Sequence, residues 1–178
     1  MKTITKEYKL YTFDELSQEA KDKAREDFNH DNDYPFLADN MAEKLHELLV
    51  ENKIKDENDT SKADTKPTQV LYSLGYSQGD GAMFEGTFYW KGYTVKIKHS
   101  GNYSHSNSKN MDIDYTDCDE NAPQEAYDKF EAIYQKICKE LEQYGYNQIE
   151  YEDSEEYFAE TCEANEYTFL LSGKMMNE

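Results

Sequence analysis

The chain has 178 residues, a length that fits one domain with a core needing no staples. It carries 38 acidic and 19 basic residues, a net charge of −19, which disfavours phosphate binding by the surface as a whole. Three cysteines without CxxC spacing argue against a disulfide framework or a zinc knuckle. No apolar run follows the first lysines and none approaches the ~18 residues of a membrane span, so the expectation is a cytosolic protein, neither exported nor membrane-bound.

In chain order, Ile4 to Tyr11 reads as a short strand with Tyr8 and Leu10 on one face. Thr12-Phe-Asp-Glu15 matches a capping box, and Leu16, Ala20, Ala24 and Phe28 follow at helical spacing. Pro35 and the stripe Leu37, Met41, Leu45 and Leu48 predict a second helix. Residues 53–67 are polar and charged, and read as a loop or partly disordered linker inside the domain.

The period then changes. Val70 to Tyr76 is rich in β formers, and Phe84 to Trp90 and Tyr93 to His99 alternate around Lys91-Gly92. A two-residue turn there fixes the register. It pairs Trp90 with Tyr93, Phe88 with Val95, Gly86 with Ile97 and Phe84 with His99 on the core face. Glu85 with Lys98 and Tyr89 with Thr94 fall on the solvent face. Met111, Ile113 and Tyr115 alternate in a further strand. Asn121-Ala-Pro123 opens a long helix with the stripe Ala126, Phe130, Ile133, Ile137 and Leu141, ending at Gly145. Ser154 opens a shorter helix bearing Phe158 and Cys162, and Tyr167, Phe169 and Leu171 make a last strand. The fold class that accommodates this is α+β: one domain over residues 1–178, an antiparallel sheet with a central hairpin, helices packed on one face, and an acidic helical surface.

Two places attract a functional reading. The first is Ser77-Gln-Gly-Asp-Gly81 with His99-Ser-Gly-Asn-Tyr-Ser-His105. The extended hairpin register sets Asp80 opposite Tyr103, so Gln78, Asp80, His99, Tyr103 and His105 form a candidate ligand site. Glycines allow close backbone approach, and Asp80, His99 and His105 are metal-ligating types. The same glycines equally suit bulges and turns at strand ends, and the spacing matches no metal motif, so no metal or cofactor is expected. The run from Asp112 to Glu120 lacks the glycine and glutamate that a calcium loop needs at its sixth and twelfth positions. Nucleotide, hydrolase and metalloprotease motifs are missing, and the chain's single arginine, Arg25, is few for phosphate chemistry. Binding is therefore expected rather than catalysis.

The second place is acidic. Asp112 to Glu166 holds 18 acidic and 3 basic residues, whereas Thr60 to Met111 holds 3 acidic and 6 basic. Glu140, Glu142, Glu150, Glu152, Asp153, Glu155, Glu156, Glu160 and Glu163 crowd the C-terminal helices. Like charges at i,i+4, such as Glu152 with Glu156 and Glu156 with Glu160, repel, and little lysine is interleaved. A solvated face explains such a run, but so does a cationic partner.

Tyr11-Thr-Phe-Asp-Glu-Leu-Ser-Gln-Glu-Ala-Lys-Asp-Lys-Ala24, Ser73-Leu-Gly-Tyr-Ser-Gln-Gly-Asp-Gly-Ala82, Lys98-His-Ser-Gly101 and Ala164-Asn-Glu-Tyr-Thr-Phe169 with Gly173-Lys174 resemble a family of small acidic phage and prophage proteins, some of which look like anti-CRISPR proteins. The resemblance implies a non-enzymatic inhibitor of a host RNA-guided nuclease of type II or its nucleoprotein complex, acting in the host cytoplasm. It carries over no catalytic residues. The acidic helices would occupy a basic nucleic-acid groove without binding nucleic acid themselves. The rival readings are a ligand- or metal-binding enzyme with its site at the glycine and histidine segments, and a phage interaction protein. Nothing in the sequence sets an oligomeric state.

Overall fold

The computed structural model describes residues 6–30, 33–58, 68–118 and 120–176. In chain order these form a 3-10 turn (Phe13–Glu15), α1 (Gln18–Asn29), α2 (Leu37–Glu51), β1 (Lys55–Asp56), β2 (Val70–Ser73), β3 (Gly81–Phe84), β4 (Gly86–Trp90), β5 (Tyr93–His99), β6 (Lys109–Tyr115), α3 (Gln124–Glu152), α4 (Glu155–Ala164), β7 (Thr168–Phe169) and β8 (Met175–Met176). The protein is α+β, with antiparallel sheets and α3 packed on strands. It divides into two compact units, Phe36–Asn147 and Met1–Pro35 with Gln148–Glu178.

In the Phe36–Asn147 unit, β1, β4, β5 and β6 make a four-stranded antiparallel sheet in that order. The expected hairpin register is observed: Trp90 faces Tyr93, Tyr89 faces Thr94, Phe88 faces Val95 and Gly86 faces Ile97. A Lys-Gly turn leaves no freedom once the apolar residues must share a face. The pairing stops there. Phe84 lies opposite Val70 in a separate two-stranded sheet of β2 and β3, not opposite His99. The break falls at Glu85, which does not pair with Lys98 and whose carboxylate accepts the His99 N–H at 2.9 Å. Gly86, at φ +151°, lets the chain swing from one sheet to the other.

The stripe of α3 lies against this unit's strands. Phe130 meets Trp90 edge-on with ring centroids 5.4 Å apart, and Tyr134 lies 4.8 Å from Phe84. The Tyr134 hydroxyl donates to the Phe84 carbonyl at 3.2 Å, and burial raises its pKa. Helix α3 does not end at Gly145. That residue is buried within the helix, where a Cβ would stand 2.5 Å from Leu74 Cδ1 and 3.1 Å from Met41 Sδ. The glycine serves close packing rather than a cap. Part of the loop expected at 53–67 is ordered structure: Ile54 is buried, and Lys55 and Asp56 pair with Tyr89 and Phe88. Residues 59–67 of that loop lie outside the described residues.

In the other unit, the Glu15 carboxylate accepts the Thr12 N–H at 2.8 Å. That capping box opens only the 3-10 turn, and Ser17 caps α1, its Oγ accepting from Ala20 N. Phe13, Leu16, Ala20, Ala24, Phe158, Cys162 and Phe169 form one buried cluster. The expected first strand is not formed over residues 6–10, and Ile4 and Thr5 lie outside the described residues. Tyr11 makes a single bridge with Phe169, because β7 is two residues long and offers no further edge. Leu171 does not extend β7. It sits exposed in the turn that returns the chain through Gly173 to β8.

Candidate functional site

The two glycine-rich segments do meet, by close approach of backbone to side chain and not by strand pairing. A Cβ on Gly79 (φ +98°) would fall 2.6 Å from the Tyr103 ring, and one on Gly81 would fall 2.5 Å from His105 Cβ. Between these glycines Asp80 takes donors from three directions. Its carboxylate accepts from Ser77 N at 2.7 Å, Ser77 Oγ at 3.0 Å, Ser73 Oγ at 2.9 Å and Tyr146 Oη at 3.2 Å. The Ser77 amide first, then the hydroxyls, hold its pKa down at about 2. Asp80 is thus an anchor that ties the loop after β2 to α3.

The histidines are engaged separately. His99 Nε2 lies 3.1 Å from the Tyr103 carbonyl, and His105 Nδ1 accepts the Asn107 N–H at 3.1 Å. Among the described residues no three His, Cys, Asp or Glu side chains are gathered closely enough to hold a metal ion. The 99–108 segment is itself tied down. Ser100 N–H donates to Ser108 O and Ser108 N–H to His105 O, both at 2.8 Å. Lys109, nearly buried, reaches the Ser106 carbonyl at 2.8 Å and Glu131 Oε1 at 2.9 Å, and Gln135 Nε2 donates to Asn107 Oδ1 at 3.1 Å. These α3 partners, like Tyr146, were missed in the sequence. The available signal was Glu131 and Gln135, four apart beside an apolar stripe.

On this fixed frame Tyr76 (66% exposed) and Tyr103 (56%) stand out into solvent. Tyr76 takes a left-handed φ of 56° and lies 4.7 Å from the Tyr146 ring; Tyr103 stacks on His105 at 6.2 Å and 12°. Gln78 and His99 are exposed beside them in sequence. Such a surface can stack and hydrogen-bond.

The acidic set is divided. Glu140, paired with Lys136 at 3.5 Å, and Glu142 belong to the Phe36–Asn147 unit and are half-buried. Glu152 is a correction: at 7% exposure it is buried and lies on no open face. It closes α3 while Glu156 lies in α4, so the two are not i,i+4 neighbours on one helix. Asp153 is a structural acceptor, bonded at 3.1 Å by the Tyr34 hydroxyl, and Glu155 accepts from Gln18 at 3.1 Å. What remains open is Glu156, Glu160 and Glu163 on α4, with Glu160 bonded at 3.1 Å by the Tyr151 hydroxyl. Glu150 is exposed on α3. Among the described residues no helix is long and apolar enough to cross a membrane. Comparison with protein-family models, curated proteins and solved structures finds no match for this chain.

Proposed function

We propose that this protein acts without catalysis, by binding a cationic macromolecular surface, and that the partner is a host RNA-guided nuclease of type II or its nucleoprotein complex in the host cytoplasm. The glutamates of α4 carry the reading. Its ten residues hold four glutamates and neither lysine nor arginine. Glu155 and Glu156 sit in the first turn, where the helix dipole favours them. Glu163 sits in the last turn, where a carboxylate is disfavoured by about 0.3–1 kcal/mol. Repulsion between Glu156 and Glu160 adds about 0.2–0.5 kcal/mol. Among the described residues neither Glu156 nor Glu163 has an ion-pair partner to offset this. A groove lined by lysine and arginine supplies the counter-charge and draws the helix in. Its occupation excludes the nucleic acid the groove serves, while the acidic surface itself repels nucleic acid.

The test is competition with target DNA for a purified type II effector across a salt series. A combined Glu156→Gln, Glu160→Gln and Glu163→Gln variant should compete about tenfold less well, roughly 1.4 kcal/mol. The gap should narrow with salt, because exposed charges are screened over ~8–10 Å. Its folding stability should be equal to the parent's or slightly higher. Reversal of Lys96 and Lys98, which lie on the opposite-charged central strands, should matter less. A parent protein that does not compete defeats the choice of partner. A triple variant that competes like the parent, beside a Tyr103→Ala variant that fails, moves the interface to the tyrosine surface, whose exposed rings are of the kind that anchor protein interfaces.

A further inference from the structure

The two glycine-rich segments have the composition of a binding surface. Over residues 73–81 and 99–108, fourteen of the nineteen residues are Tyr, Ser, Gly or Asn, the mixture from which antibody binding loops are built. In such loops rigid aromatic anchors stand among small, adaptable hydrogen-bonding groups. The same nineteen residues include no Lys, Arg or Glu. Their one carboxylate, Asp80, is engaged by Ser73, Ser77 and Tyr146. In a chain of net charge −19, these segments therefore present no ammonium, no guanidinium and no unengaged carboxylate.

The anchors are also held in place before any partner arrives. The Tyr103 ring fills the space that a Cβ on Gly79 would need, and His105 does the same at Gly81. Helix α3 fixes one segment through Gln135, which donates to Asn107 Oδ1 at 3.1 Å, and the other through Tyr146, which donates to Asp80 at 3.2 Å. Tyr76 and Tyr103 nevertheless remain 66% and 56% exposed, and Tyr76 keeps a left-handed φ of 56°, a costly backbone for a bulky aromatic. Rings ordered in advance lose little freedom on binding, and that loss is a main cost of forming an interface.

Charge decides the occupant. These loops hold no cation to meet phosphate, and the chain as a whole repels nucleic acid. A groove lined by lysine and arginine is drawn to the glutamates of α4 and finds no open carboxylate here. An uncharged protein surface matches the segments, and exposed tyrosines are the side chains that anchor such contacts. We infer that the tyrosine face is a second contact surface, which docks on an uncharged protein surface of the same effector outside its nucleic-acid groove, with Tyr76 and Tyr103 as anchors. This rests on the partner proposed above and adds a contact that neither salt nor bound nucleic acid removes.

The effector is loaded with guide RNA and target DNA, so that its groove is filled, and is titrated with the full-length protein at low and at high salt. Saturable binding should persist and should not weaken as salt is raised, because no charge pair carries it. Tyr76→Asn and Tyr103→Ser should each weaken it about tenfold, whereas the combined Glu156→Gln, Glu160→Gln and Glu163→Gln variant should bind the loaded effector like the parent. Asparagine suits the left-handed backbone at 76, so a loss there reports the ring and not the fold. Tyrosine variants that bind the loaded effector like the parent overturn the inference. So does a parent that binds the empty effector but not the loaded one, and in that case the groove reading stands. A parent that binds neither form defeats the groove reading and this one with it. A dimer of the parent that Tyr76→Asn dissolves in sedimentation, or saturable binding of single-stranded DNA by the parent alone, gives the face to a second copy or to bases and overturns the inference.

Discussion

Gly92 and Gly173 share nearly the same backbone conformation, φ +84° and +82°, and differ in surroundings. A Cβ at Gly92 meets nothing within 4 Å, whereas one at Gly173 lies 2.2 Å from the Ala20 carbonyl oxygen and 3.1 Å from its carbon. Those are main-chain atoms of α1, next to a buried side chain, and cannot rotate aside. Gly92→Ala should therefore lose only the left-handed penalty, about 1–2 kcal/mol. Gly173→Ala adds an overpacking term of about 1–3 kcal/mol, for a total near 2–5 kcal/mol. Urea unfolding followed by far-UV circular dichroism, with Trp90 fluorescence as a second probe for the Phe36–Asn147 unit, measures both. If Gly173→Ala loses no more than Gly92→Ala, α1 yields easily and the reasoning about the β7–β8 turn fails.

Two further outcomes follow from the ionisable groups. The Asp80 pKa is lowered, from 3.8 to about 2. Its stabilisation is therefore fully present above about pH 4 and is lost as pH falls through about 2; Asp80→Asn should flatten the pH dependence of the urea midpoint across that window, and an unchanged slope would show that the carboxylate is not an anchor. Cys138 and Cys162 are buried, with burial pushing both thiols up to about 12, while Cys118 is exposed. Thiol labelling at pH 8 should give one fast group in native protein and three in denaturant, and two fast native thiols would contradict the packing of α3 or α4.

Features governed by neighbours in the sequence were legible in it. The Lys91-Gly92 turn and its alternating flanks fix a register by local geometry alone, and Ser154 marks α4 by a bond to Tyr157 N. What the sequence hid depends on distant neighbours. Nothing local separates Gly86, where the chain changes sheet, from a strand glycine, or Gly145 inside a helix from a terminating one. Lys55 and Asp56 are poor strand formers, recruited only because β4 presents an edge. Glu152 looked like its neighbours in an acidic run, and tertiary packing alone put it inside. At the candidate site, the meeting of the two glycine segments was visible, whereas the tie to α3 through Tyr146, Glu131 and Gln135 was not, since helix side chains carry no mark of which distant loops they hold.

Gly145 bears on how the junction tolerates change. Alanine is preferred to glycine inside a helix by about 1 kcal/mol, so intrinsic propensity alone would favour its replacement. The next residue is Tyr146, whose hydroxyl reaches Asp80 at 3.2 Å, and the missing Cβ is what admits α3 so close to Leu74 and Met41. A side chain at 145 would wedge the helix outward and draw that hydroxyl from the carboxylate, loosening the loop that presents Tyr76 without touching any exposed residue. Helix propensity and close packing therefore pull in opposite directions at one buried position.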